Sequence, residues 1–133
     1  MKRVTGIGGI FFKSENPKQL YEWYEKHLGI QRAPHGQGAE FPWRELKAAD
    51  GTEPGPEGVT AWSIFPQTTK HFGASKAGFM LNYRVDNLDA LLEDLKQSGI
   101  EIDPERAEYD FGKFAWITDP DGNRVELWEP KEN

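Results

Sequence analysis

The chain has 133 residues, 37% of them hydrophobic and 29% charged, and a formal net charge of −6. That length fits one domain or two small halves sharing a core, and the acidic balance favours a neutral or cationic small molecule over nucleic acid as a partner. Cysteine is absent, which excludes disulfides, thiol catalysis and thiolate metal sites.

The opening MKRVTGIGGIFFKS has an apolar run too short for a signal peptide, and no stretch approaches the length of a membrane span. A cytosolic protein with no membrane partner is the expectation. Residues 4–13 alternate weakly, as a strand does. Asn16 then caps a helix with Pro17 at its first position. Leu20, Tyr24, His27 and Leu28 recur at helical spacing, and Gly29 ends the helix. From Arg32 to Gly58 the chain is rich in Gly, Pro and charge, with strands predicted over 41–46 and 59–65. Residues 67–78 form a connector without sustained periodicity.

The pattern then starts again. A strand is predicted over 79–85, followed by a helix capped by Asp86 or Asn87, carrying Leu88, Leu91, Leu92 and Leu95 and ending at Gly99. Further strands are predicted around 100–102, 113–118 and 123–129. Leu28-Gly29-Ile30 matches Ser98-Gly99-Ile100, and Trp62 to Pro66 matches Glu126 to Pro130. Each half reads as strand, helix, strand, strand, strand. A single domain of two βαβββ modules, 1–66 and 79–130 joined by the connector, is therefore predicted, neither half able to bury its sheet face alone.

The segment Phe114 to Pro130 is the most informative. Ala115, Ile117, Val125 and Leu127 mark one apolar face, and Asp119-Pro120-Asp121-Gly122-Asn123 supplies a tight turn. Pairing about that turn sets Trp116 opposite Glu126 and Phe114 opposite Trp128 on the other face. A carboxylate among aromatic rings is unusual, because an unpaired charge is costly to desolvate.

The repeat, the helices in SENPKQLYEWYEKHLGI and YRVDNLDALLEDLKQSGI, and the closing DPDGNRVELWEP resemble the vicinal oxygen chelate superfamily. That group includes glyoxalase I, the bleomycin-resistance proteins and the extradiol dioxygenases. The resemblance covers nearly the whole chain and is closest to the short glyoxalase/bleomycin-resistance type. It implies an α+β fold in which two βαβββ modules form an open, curled mixed sheet around a cleft, in a homodimer. In the metal-dependent members four cleft-facing His, Glu or Gln side chains hold one divalent ion. Carried over by position, those places fall on Gly9, Trp62, Met80 and Glu126, and only Glu126 matches. A shift of one residue at the other three restores no His or Glu, so the usual metal site is expected to be absent, with no cofactor.

Strand alternation predicts a cleft lined instead by Phe11, Trp62, Met80, Asn82, Arg84, Trp116 and Trp128, the candidate ligand-binding set, around Glu126, the candidate catalytic residue. Three roles for Glu126 stay open: a structural pair with Arg84, an acceptor or base toward a ligand, or an ion ligand completed by substrate or water. The aromatic lining suits a planar or cationic ligand. Of the three histidines, His27 lies on a helix and His35 in a Gly-rich loop. His71, in the connector, is the best functional candidate, since a connector can fold over the cleft. The reading is a metal-independent small-molecule binder. Its alternatives are a lyase- or dioxygenase-type enzyme using Glu126 as base or sole retained metal ligand, and a structural or regulatory dimer whose cleft is filled by its own side chains.

Overall fold

A computed structural model describes residues 4–35, 37–46 and 53–131. The elements run β1 (Val4–Ser14), α1 (Pro17–Leu28), β2 (Ala39–Leu46), β3 (Pro54–Pro66), β4 (Phe79–Val85), α2 (Leu88–Gln97), β5 (Ile102–Tyr109), β6 (Gly112–Thr118) and β7 (Arg124–Pro130). The strands form one open seven-stranded sheet in the order β2-β3-β1-β4-β7-β6-β5. It is mixed: β1 pairs with β3, and β4 with β7, in parallel, while the other neighbours are antiparallel. The α+β architecture with an open mixed sheet and two helices is the one the sequence implied.

Both helices start as predicted. The Asn16 side chain accepts from the Gln19 N–H with Pro17 in the first turn, and the Asn87 side chain accepts from the Ala90 N–H. Gly29 closes α1 at a φ of 69°, in the left-handed region where a side chain is penalised. The α1 face differs from expectation, because Tyr21 is its buried residue while Leu28 is exposed. The Tyr21 hydroxyl accepts from the Ile64 N–H at 2.7 Å, anchoring α1 to β3.

Helix α2 covers the other end of the same sheet face. Leu88, Leu91 and Leu92 pack with Val85, Ala115 and Leu127, and Tyr83, Ile117 and Val125 border that core. Each large aliphatic side chain so buried contributes about 1.5–3 kcal/mol. This is the apolar face that alternation marked.

Two predicted boundaries need correction. The first half holds three strands among the described residues, because the chain between α1 and β2 loops back, with the Ala33 N–H donating to the Gly38 carbonyl at 2.7 Å. Pro34 has no N–H to give a ladder, and Gly38 takes a φ of 92°. The strand predicted around 100–102 instead runs Ile102–Tyr109. Pro104 falls where the β5–β6 register is irregular, between Ile102 and Arg106, on the outermost strand, the kind of place where a sheet tolerates proline.

Candidate functional site

The second face of the sheet carries the site. Backbone register lines up Gly9 on β1, Asn82 on β4, Glu126 on β7 and Trp116 on β6 as successive neighbours across four strands. Side chains at such positions share a face, so Glu126 is flanked by Asn82 and Trp116. The hairpin behind this row has the predicted pairing, Trp116 with Glu126 and Phe114 with Trp128. Its turn is fixed by Asp119, whose carboxylate accepts from the backbone N–H groups of Asp121 and Asn123 and from the Asn123 amide. Those bonds, led by the Asn123 side chain, hold Asp119 below the usual carboxylate range.

Glu126 is 3% exposed. Its Oε1 accepts from Asn82 Nδ2 at 2.6 Å, and its Oε2 accepts from Trp116 Nε1 at 2.9 Å. His71 Nε2 reaches the same Oε2 at 2.8 Å. Three donors therefore surround the buried carboxylate, as burial of such a group requires. Asn82 turns its Nδ2 to the carboxylate, leaving its Oδ1 buried with no partner.

His71 arrives from the connector. Its imidazole stacks on Phe65 at 5.2 Å and 10°, and meets the Trp116 ring edge-on at 6.1 Å. The next residue, Phe72, is fully buried with Phe11, Met80 and Trp116. Gly73 then turns back at a φ of 59°, and a Cβ there would stand 2.7 Å from Arg124 Nη1. Only glycine meets both demands without strain. The connector thus plugs the middle of the predicted cleft and leaves open the part over β6 and β7.

That part is a cavity of about 530 Å³. Tyr109, Phe111, Phe114 and Trp116 give it an aromatic wall, with His71 and Glu126 also lining it. Tyr109 and Phe111 stack at 5.2 Å and both meet Phe114 edge-on. Lys70, Glu105 and Arg124 complete the lining. The Arg124 guanidinium lies 5.1 Å from the Trp116 ring centre and pairs with Asp103 at 2.7 Å. The Glu105 backbone N–H and then Arg124 hold the Asp103 carboxyl below its ordinary range.

The candidate residues are therefore distributed unevenly. Trp116 and Glu126 line the cavity, and Asn82 holds Glu126 from behind. Phe11 and Met80 belong to the plugged centre. Trp128 stacks on Phe114 at 5.9 Å and donates to the Phe111 carbonyl, supporting the wall from outside. Two positions are corrected. Trp62 packs against Phe12, Tyr21 and Tyr24, on the α1 face, while Ala61 and Phe65 border the cleft cluster. Arg84 does not pair with Glu126; its Nη1 donates to the Glu57 carbonyl and its guanidinium lies over Trp43. Tyr109 and Phe111 were missed, and nothing in their local pattern distinguishes them from surface aromatics.

The donor set does not fit the divalent ion that the resemblance implies. At Gly9 an added Cβ would stand 2.4 Å from the tip of the Phe11 ring, so that place is occupied by an aromatic ring. Ala61 and Met80 supply no hard ligand and Ser63 only a neutral hydroxyl, and the Asn82 and Trp116 N–H groups aimed at Glu126 cannot coordinate. Among the described residues no three His, Asp or Glu side chains converge.

Residues 12–127 match the model of the Glyoxalase/Bleomycin resistance protein/Dioxygenase superfamily. The chain belongs to that superfamily. Similar solved structures include methylmalonyl-CoA epimerase from Mycobacterium tuberculosis, 20% identical with a TM-score of 0.65 over 99% of this chain and 92% of that one. A Streptomyces coelicolor methylmalonyl-CoA epimerase in complex with 2-nitronate-propionyl-CoA is 16% identical, with a TM-score of 0.62 over 97% and 99% of the two chains. A Legionella pneumophila protein described as NAD-dependent benzaldehyde dehydrogenase is 20% identical, with a TM-score of 0.58 over 92% and 98%. Likeness at this identity establishes the fold, and the different names show how little a shared fold says about chemistry. No curated protein matches the sequence. No helix among the described residues is long and apolar enough to cross a membrane.

Proposed function

We propose that this superfamily member is a metal-independent binder of a small planar aromatic molecule, held in the cavity over β6 and β7. The observation that carries the reading is the aromatic wall of Tyr109, Phe111, Phe114 and Trp116 facing a carboxylate whose neighbours are hydrogen-bond donors. Rings of this kind stack on a planar ligand, and a few polar groups at one end orient it. The volume, about 530 Å³, suits a compact molecule. Phe72 confines the ligand to the β6–β7 end of the cleft. A cytosolic setting and a homodimer belong to the same reading, with the half-exposed Trp23 and the exposed Leu28 of α1 available for contact with a second copy.

A panel of planar aromatic compounds tested by thermal shift should yield stabilising ligands whose effect is lost in Phe114→Ala. A broad panel without any stabiliser would oppose the proposal. A second reading, a lyase- or dioxygenase-type enzyme acting through Glu126, draws on the His71 contact to that carboxylate. It requires glyoxalase, thiol-transfer or ring-cleaving turnover that Glu126→Gln abolishes.

A further inference from the structure

The contact with Glu126 selects one neutral tautomer of the His71 imidazole. Its Nε2 faces a carboxylate oxygen that can only accept, so Nε2 carries the hydrogen and Nδ1 presents a lone pair. Among the described residues Nδ1 makes no hydrogen bond, while the side chain is 35% exposed and lines the cavity. The Phe65 stack and the Trp116 edge fix the ring plane. The site thus holds an oriented acceptor backed by a buried anion, beside an aromatic wall. A ligand that merely stacked would leave this group unused.

We propose that the cavity takes weakly acidic planar molecules, phenols or enols, and binds them as anions, with His71 Nδ1 receiving the ligand's proton. This rests on the binding role proposed above and names the ligand class for the same cavity. In the transfer the ligand O–H bond breaks, its electron pair stays on oxygen, and an Nδ1–H bond forms. The resulting imidazolium lies between two anions, Glu126 at Nε2 and the ligand at Nδ1. Glu126 keeps its Asn82 and Trp116 donors throughout and acts as the positioning partner of His71. Of the other charged groups lining the cavity, Lys70 favours a bound anion and Glu105 opposes it, while Arg124 is already engaged by Asp103 at 2.7 Å and Glu105 at 3.7 Å.

The test uses 4-nitrophenol, whose ionised form has its own absorption band, at a pH where most of it is un-ionised in solution. Quenching of tryptophan fluorescence reports binding, and the phenolate band reports proton transfer. Saturable quenching accompanied by a matching rise of the phenolate band is expected. In His71→Asn quenching should persist without the band, and 4-nitroanisole, which has no proton to give, should bind the wild type about ten-fold more weakly. Quenching without the band in the wild type would overturn the inference and leave the binding role standing. The band persisting in His71→Asn would overturn it too, and absence of quenching would show that the cavity does not take a phenol, leaving the binding role to the thermal-shift panel. Should His71→Asn fail to fold, nitrogen NMR of wild-type His71 decides: Nδ1 must change from unprotonated to protonated as the probe saturates, and an unchanged Nδ1 rejects the transfer.

Discussion

His71, from the connector, stands 2.8 Å from the carboxylate of Glu126 on β7. Connector and sheet are thereby joined at a buried charge, beside the fully buried ring of Phe72. The contact closes the centre of the sheet face and aims an imidazole into the cavity that remains.

Glu126→Gln should destabilise the fold. A glutamine amide has one acceptor oxygen and an NH2 group, yet three donors converge on this position. With Asn82 held in its present orientation, its Nδ2 would meet the glutamine NH2, donor against donor, costing about 1–3 kcal/mol in urea unfolding. An unchanged midpoint would mean that the donors are not engaged.

Phe72→Ala should cost about 3–5 kcal/mol, since the ring is fully buried between Phe65, Phe11 and Met80 and its removal leaves a cavity. The same variant should open the centre of the cleft and admit larger aromatic ligands than the wild type takes. Equilibrium unfolding and the thermal-shift panel check the two effects.

Much of the site was legible in the hairpin, because alternation and turn chemistry fix both face and register locally. Counting outward from Asp119 to Asn123 sets Trp116 opposite Glu126, and the structure pairs them so. Trp62 departs from expectation for a physical reason: matching Pro66 to Pro130 sets it in line with Glu126, whereas Ala61 is the partner of Gly9, and a slip of one residue in a strand turns every side chain to the other face. Asp103-Pro104-Glu105 reads as a breaker and so hides most of β5, whereas an edge strand absorbs it through irregular register. Phe72 could not be foreseen as a plug, since the connector has no period to show which way its side chains point.

Gly73→Ala should destabilise by about 1–2 kcal/mol, the cost of a left-handed conformation for an L-residue, before counting the approach to Arg124. Gly122→Ala, also left-handed at a φ of 85° but with nothing near its Cβ, supplies the comparison. Thermal unfolding should show the larger loss at Gly73.

Asp119→Asn tests the turn through pH. The folded Asp119 carboxyl titrates below its ordinary value, so its stabilisation is complete above about pH 4 and is lost as pH falls through the lower folded value. The variant should therefore melt below the wild type at neutral pH, and the gap should narrow on acidification below about pH 4. A gap independent of pH would show that charge plays no part.

Calorimetric titration of a planar aromatic ligand from the thermal-shift panel into chelator-treated protein tests the central claim most directly. One saturable site per chain is predicted, with the same affinity after addition of nickel, zinc, manganese or iron(II), and weaker binding in Phe114→Ala. Binding that appears only when one of those ions is restored would contradict the account.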